Sequence, residues 1–272
     1  TCPGSDAGAK NEEKSEMTFW EHLDELRKVL FRSAVLVIAL MVVIFSAKDF
    51  IFDNIVFAPT TDAFPLYRGL NWVLAELGAE PLAPFSIDLI NIELSAQFFI
   101  HISTSFYFAL VLATPFVLYQ LWLFIKPALY ENEKRAVNKA FAFASLLFFA
   151  GVLVGYYLIF PLTLRFLGTY QVSQSVANQI SLQSYISMFV WMILVMGIVF
   201  EMPSAAAILN RLGVLKREFL KRYRKHAFVI LLIVAAVITP SGDPFTLLAV
   251  GLPLYTLYEL SILVCRRDDI NK

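Results

Sequence analysis

Four acidic residues, Glu201, Asp243, Glu25 and Glu133, lie in sequence surroundings where a carboxylate could have a functional or structural role. Glu201 lies inside the apolar stretch VWMILVMGIVFEMPSAAAIL, some way from either end. Because an ionised carboxylate is costly there, Glu201 is expected to face protein or a water-filled cavity, or to stay protonated. A functional role for Glu201 and a helix kink stabilised near Pro203 both fit the sequence.

The other three carboxylates lie outside apolar stretches. Asp243, in TPSGDPF, is expected to cap the helix that follows it. Glu25 lies in the mixed-charge segment HLDELRK, where a solvated helix face is its simplest interpretation. Glu133 lies in FIKPALYENEKR, and on chemistry alone a weak surface ion pair with Lys134 or Arg135 is favoured.

Several classes of protein chemistry lack their sequence signatures here. The chain has no H-E-x-x-H, no G-x-S-x-G and no glycine-rich phosphate loop, so no enzyme activity, cofactor or nucleic-acid partner is expected. The three histidines lie in separate regions, and His101 is expected to make helix–helix hydrogen bonds. Cys2 and Cys265 lack metal-ligand spacing, so neither a metal site nor a disulfide is predicted.

Long apolar stretches must position these residues. The composition is 58% apolar, 15% aromatic and 16% charged, which is unlike a soluble domain. Continuous Leu-, Val- and Phe-rich runs favour membrane helices over barrel strands, which alternate in short segments. Six stretches are predicted to span the membrane: Val29–Ala47, Leu94–Phe124, Ala136–Leu167, Tyr185–Leu209, Ala227–Ile238 and Phe245–Val264.

The distribution of positive charge predicts the orientation of the spans. If the stretches alternate in direction, 19 of the 22 Lys and Arg residues fall on one side, and only Lys48, Arg68 and Arg165 fall on the other. Basic loops resist translocation, so both termini are expected in the cytoplasm.

Three shorter segments carry further predictions. Thr18–Phe31 has apolar residues spaced by three and four, which predicts an amphipathic interfacial helix that runs into the first span, with a capping box at Thr18 and Glu21. Leu66–Leu77 predicts a short helix within the external connection 48–93. Ala227–Ile238 gives about 18 Å of helix, short of a hydrocarbon core of about 30 Å.

Four motifs together resemble a known family. HLDELRK, FIKPALYENEKR, FEMP and TPSGDPF occur in the order and at the topological positions of the TatC family, the large polytopic subunit of the twin-arginine protein translocase. The resemblance runs from about Thr18 to Arg267. It implies a glove-shaped bundle of six helices and a receptor for the signal peptides of folded cargo proteins.

The resemblance also implies roles for individual residues. Glu25 and Glu133 would bind the paired arginines of a signal peptide. The residues implied beside them are Arg27, Phe124 and Pro127 on the binding surface, Glu201 in the membrane, and Pro59 and Asp243 in structural or partner contacts. Leu247 stands where the family usually has a polar residue, often Gln.

The resulting interpretation is a receptor and core subunit in the bacterial inner membrane, driven by the proton-motive force. Residues 1–17 are expected to be a disordered extension, 18–267 one six-span domain and 268–272 a cytoplasmic tail. The implied partners are small single-span subunits of the TatA and TatB type, the lipid bilayer and further copies of the chain. A secondary transporter coupled through Glu201 and a purely structural scaffold remain the alternatives.

Overall fold

The computed structural model describes the backbone of residues 19–125, 131–173, 175, 178–211, 213–239 and 243–265, and their side chains except those of 19–22, 125 and 131–140. Within these ranges the fold is almost entirely helical. The helices are α1 (Phe19–Ser46), α2 (Lys48–Ile51), α3 (Pro65–Glu76), α4 (Ala96–Ile125), α5 (Glu131–Val154), α6 (Phe160–Thr169), α7 (Leu182–Phe200), α8 (Met202–Arg211), α9 (Arg217–Arg222), α10 (Arg224–Ile238) and α11 (Pro244–Val264).

Short elements complete the described chain. A π-helical turn at Phe52–Val56 and a 3-10 turn at Ala58–Thr60 follow α2. A second π-helical turn, Gly155–Ile159, joins α5 to α6. Strand β1 (Leu89–Ile90) pairs in parallel with β2 (Ile180–Ser181). The short helix predicted at Leu66–Leu77 is confirmed as α3.

Five helical segments of the described chain are long and apolar enough to cross a membrane: Leu23–Ser46, Ala96–Phe124, Phe141–Thr169, Leu182–Arg211 and Pro244–Val264. They overlap five of the six predicted spans. The sixth predicted span corresponds to α10, a helix of 15 residues. At about 1.5 Å per residue its length is about 22 Å. That α10 crosses the membrane therefore stays a prediction.

Consecutive long helices run antiparallel, so their charged termini collect at one end of the bundle. We call this the basic end: it holds the starts of α1, α5 and α10 and the ends of α4, α8 and α11. The connection 48–93 and the strands lie at the opposite end. At the basic end Arg224 pairs with Glu259 across 2.7 Å, which joins the start of α10 to the last turns of α11.

The predicted amphipathic helix runs into the first span, as the sequence indicates, and its position at the membrane interface stays a prediction. From Phe19 to Ser46 the chain forms one uninterrupted helix, so the amphipathic segment continues the first span directly. The physical reason is that no proline or glycine lies between Phe19 and Ser46 to break the helix. Thr18, the predicted cap, lies outside the described residues.

Close approach of α5 and α7 is permitted by three glycines. A Cβ atom on Gly151 would lie 2.6 Å from the carbonyl oxygen of Met196, and one on Gly197 would lie 2.8 Å from the ring of Phe148. Gly155, four residues after Gly151, faces the backbone of Ile193. Glycines spaced by four bring helices together in membranes because they present a flat surface.

We predict that Gly151→Ala lowers stability by about 1–3 kcal/mol, because the added methyl group overpacks the α5–α7 contact. Thermal unfolding in detergent micelles measures the effect. Gly69→Ala is the matched control, since Gly69 lies on α3 with open space where a Cβ would stand and should tolerate alanine. Equal melting temperatures for wild type and Gly151→Ala would contradict the close packing.

Hydrogen bonds from tyrosine hydroxyls hold the connection 48–93 against the spans at the end of the bundle opposite the basic end. Tyr67 on α3 donates to the carbonyl of Pro161 at 2.8 Å, and Tyr156 donates to Ile55 at 3.0 Å. Tyr185 on α7 donates to Val56 at 2.5 Å. Each bond joins a span to a carbonyl of the connection, or α3 to a span, so it satisfies a backbone acceptor that would otherwise be buried alone.

Arg165, at the end of the third span, completes this fastening. Its guanidinium donates to the carbonyl of Ala83 at 2.7 Å and lies over the rings of Tyr67 and Phe85, 5.4 and 5.2 Å from their centroids. Arg165 is one of the three basic residues predicted on the side opposite the basic end, and these contacts give it a structural role. Burial raises the pKa of Tyr67, so its hydroxyl keeps its proton at neutral pH.

We predict that Tyr67→Phe loosens this region, because the carbonyls of Pro59 and Pro161 lose a buried donor. The expected cost is about 1–2 kcal/mol. Limited proteolysis within residues 61–88 measures the loosening, and exposed Tyr170 supplies the control Tyr170→Phe. A Tyr67→Phe protein with the cleavage rate of wild type would contradict this role.

The same contact should depend on pH. Burial raises the pKa of Tyr67 in the folded protein above that of the unfolded chain. Its contribution to stability should therefore be complete below the unfolded tyrosine pKa of about 10 and fall as pH rises through the folded value.

Candidate functional site

The first candidate residue, Glu25, lies on α1 near its start, at the basic end. Its carboxylate accepts a hydrogen bond from the ammonium of Lys28 at 2.7 Å, and its side chain is 43% exposed. A pair this exposed is weak and easily exchanged for another cation. Arg27, two residues further on, is exposed. Glu25 is therefore accessible and is held only by a local lysine.

The pairing of α1 with α4 fixes the level of Glu25 in the bundle. The ring of His101 stacks on Phe45, with centroids 3.8 Å apart, and its Nε2 lies 3.0 Å from the carbonyl oxygen of Phe45. A carbonyl can only accept, so Nε2 carries the proton. This confirms the predicted helix–helix hydrogen bond of His101, at the point where α1 ends and α4 begins.

Further along, Val37 and Ile44 of α1 form one buried cluster with Ala109 and Ala113 of α4. Small residues four apart let the two helices approach closely over their length.

The register of this pair also sets the neighbours of Glu25. Phe45 and His101 are in contact, and the same number of residues separates Glu25 from Phe45 as separates His101 from Leu121. Because both helices are uninterrupted and rise equally per residue, Glu25 lies level with the last turn of α4.

That last turn carries Phe124, which is half-buried. Trp122 beside it is buried against Phe141 of α5, with ring centroids 5.4 Å apart. This contact packs the end of α4 against α5 about three turns after α5 begins. Of the implied signal-binding residues, Glu25, Arg27 and Phe124 thus all lie at the basic end, on the paired helices α1 and α4.

The remaining two signal-binding residues are less fully described. Glu133 lies in the first turn of α5, which begins at Glu131, but its side chain is outside the described residues. Pro127 also lies outside them. The backbone nevertheless places Glu133 at the basic end, a short connection after Phe124.

Glu201 interrupts the fourth span. Helix α7 ends at Phe200, Glu201 is the cap, and α8 begins at Met202 with Pro203 in its first turn. The hydroxyl of Ser204 donates to the Glu201 carbonyl at 2.9 Å and to its carboxylate oxygen Oε2. A break at this point agrees with the kink interpretation near Pro203, and a functional role for Glu201 stays a prediction. The other carboxylate oxygen, Oε1, is buried with no hydrogen-bond partner among the described residues.

We predict that Glu201→Gln retains more transport than Glu201→Leu, because glutamine keeps an acceptor for Ser204 and offers donors on the other side. Leucine leaves the Ser204 hydroxyl with only its backbone acceptor. Cargo export by each variant, normalised to the amount of inserted protein, measures the difference. Equal export by the two variants would show that polarity at this position is unimportant.

Two further predicted residues have defined surroundings. Asp243 caps α11, since its carboxylate accepts from the backbone N–H of Thr246 at 2.8 Å, as the sequence predicts. Pro59 is buried in the 3-10 turn, where its carbonyl lies 3.3 Å from the Tyr67 hydroxyl. Both positions have structural tasks at the opposite end. Leu247 packs against the main apolar core.

Sequence reasoning missed two groups of structural residues. The spacing of Gly151 and Gly155 inside an apolar run is a readable signal for close helix packing. The partners of Tyr67 and Tyr185 carry no such signal, because their acceptors lie 94 and 129 residues away in the sequence.

Antiparallel apolar helices with the charged residues gathered at one end define a multi-pass membrane protein. Comparison with known proteins specifies it further. The model of the family described as Sec-independent protein translocase protein (TatC) matches residues 21–253. The chain therefore belongs to the TatC family, a family of translocase components in the bacterial inner membrane.

Relatives and solved structures agree with the family match. A TatC protein of Blattabacterium is 37% identical, over 93% of this chain and 96% of its own length. One from Deinococcus radiodurans is 32% identical, over 93% and 87%. Two crystal structures of the twin-arginine translocase receptor TatC, one of them in the detergent DDM, superpose with TM-scores of 0.68 and 0.72. Both are 32% identical to this chain and match 90% of it, which corresponds to 97% and 100% of those chains.

Proposed function

We propose that this protein is the signal-peptide receptor and core subunit of a twin-arginine translocase, with Glu25 and Glu133 binding the two signal arginines. One observation carries the proposal. The antiparallel pairing of α1 and α4, seen in the His101–Phe45 contact, brings Glu25 close to the last turn of α4 at the basic end, where α5 also begins.

The chemistry of the two side chains fits this task. A guanidinium presents parallel donors that a carboxylate accepts side by side, whereas a lysine ammonium is a point charge. Two carboxylates at the basic end could therefore prefer Arg-Arg to Lys-Lys. The basic residues around them would repel cationic peptides that fit poorly. In this scheme a signal arginine displaces Lys28 from Glu25.

The same proposal fixes the topology and the partners. The basic end would face the cytoplasm, with both termini there and α10 serving as a short sixth span. The signal's apolar stretch would enter the bilayer beside the bundle. Single-span subunits would pack against the α10–α11 hairpin of the glove-shaped fold, copies of the receptor would associate, and the proton-motive force would drive export of folded cargo.

A secondary transporter is the second candidate, and the buried Oε1 of Glu201, which has no partner among the described residues, favours it. Such a transporter would need Glu201 for coupling and would have no use for a carboxylate at Glu25. Binding of a twin-arginine peptide therefore separates the two candidates.

We predict that Glu25→Ala or Glu133→Ala weakens binding of a twin-arginine peptide about tenfold, because one guanidinium loses its charged acceptor. The double variant should also lose the preference for Arg-Arg over Lys-Lys. Lys28→Gln should strengthen binding, since the competing cation is removed. Fluorescence anisotropy with a labelled peptide and the purified receptor measures peptide binding by all four variants.

Asp24→Ala is the matched control, because Asp24 is an exposed carboxylate one residue away on the same helix. Its binding should equal that of wild type. Undiminished and still selective binding by the Glu25 and Glu133 double variant would refute the assignment.

A further inference from the structure

An apolar groove of about 500 Å³ lies at the basic end between α8, α10 and α11, and α9 lines its outer part. Residues from four helices form its surface, among them Ala205, Leu209, Phe219, Tyr223, Ile230 and Leu231. The Tyr258 hydroxyl of α11 donates to the carbonyl of Leu220 at 2.7 Å, which holds α9 in place. This groove is separate from the surface that carries Glu25.

The segment that contains α9 and the start of α10, two of the helices that line the groove, is strongly basic. The segment 211–226 contains seven Lys and Arg residues and a single acidic one, Glu218. Arg224 is paired with Glu259. The Nε of Arg217 is buried and has no hydrogen-bond partner among the described residues.

Arg217 also lies beside the groove. It begins α9, whose residues Phe219 and Leu220 line the groove, and the nearby thiol of Cys265 donates to the carbonyl of the groove residue Ala206 at 3.6 Å. A guanidinium donor is therefore present where the apolar wall meets the basic segment. Lys216, immediately before α9, is exposed.

We propose that the groove binds one acyl chain of an anionic phospholipid, whose phosphate is held by Arg217 and Lys216. Charge complementarity selects the anionic head group, since each Lys or Arg near an anionic leaflet adds attraction. Phe219 and Tyr223 lie where aromatic side chains mark the head-group level of a membrane. In the proposed topology this is the cytoplasmic leaflet.

The dimensions favour a chain over a partner helix. A helix with its side chains is about 10–12 Å across and would rest on the rim of this groove. A single acyl chain is narrow enough to lie within 500 Å³ of apolar space. Helix α9 also covers the outer part of the groove. A spanning partner helix would therefore find no continuous surface to pack against.

Native mass spectrometry of the purified protein, titrated with phosphatidylglycerol or phosphatidylcholine in detergent, tests the proposal. Phosphatidylglycerol should bind about tenfold more tightly. Lys216→Gln and Arg217→Gln should remove that preference while phosphatidylcholine binding stays. Ala205→Phe, which fills the groove from an exposed position on α8, should weaken both lipids.

Matched controls are Ala142→Phe, at an exposed position on α5, and Arg68→Gln at the opposite end; neither should change lipid binding. Equal affinity for the two lipids in wild type, or lipid binding unchanged by Ala205→Phe, would overturn the proposal. So would a photo-cross-linker at Leu209 that captures a single-span protein subunit and no lipid.

Twin-arginine peptide binding, measured on the same Ala205→Phe protein, separates this inference from the proposed function. The lipid site is distinct from the surface with Glu25, so peptide binding should stay at the wild-type level. Loss of peptide binding together with lipid binding would show that the groove belongs to the signal site and would overturn the separate assignment.

Discussion

The antiparallel contact between α1 and α4 is the constraint on which the candidate site depends. Glu25 lies near the free start of α1, and only the register of α1 against α4 determines its neighbours. The stacked His101–Phe45 pair defines that register at the opposite end, and the alanines Ala109 and Ala113 allow close packing along the helices. A shift by one turn would move Glu25 about 5 Å along the bundle axis.

The need to satisfy polar atoms explains much of the remaining structure. Backbone groups freed by turns near a membrane have little water to bond, so side chains must serve them. Tyr67, Tyr156 and Tyr185 do so for the connection 48–93, and Ser204 does so at the break beside Glu201. Among the described residues six buried side-chain atoms depart from this rule, and Oε1 of Glu201 is the one carboxylate oxygen among them, which is why Glu201 invites a functional explanation.

Local features of the fold could be predicted from the sequence. The apolar runs gave the five long spans, helical spacing gave α3, and short-range chemistry gave the Asp243 cap. Helical spacing also predicted that the amphipathic segment runs into the first span, and α1 is unbroken because no proline or glycine divides it. The tyrosine bonds and the α8–α11 groove could not be predicted, since they join residues far apart in the sequence. For the candidate site, residue chemistry alone favoured solvated surface roles for Glu25 and Glu133. Only the family resemblance predicted that the two glutamates together bind the signal arginines.

Cross-linking from the signal peptide tests the central claim most directly. A twin-arginine peptide with a photoreactive group directly after the Arg-Arg pair is bound to the receptor, and the captured receptor segments are identified by mass spectrometry. The proposed site predicts cross-links to α1 around Glu25 and also to the end of α4 around Phe124. Capture confined to α10 and α11, or to α1 without α4, would contradict it.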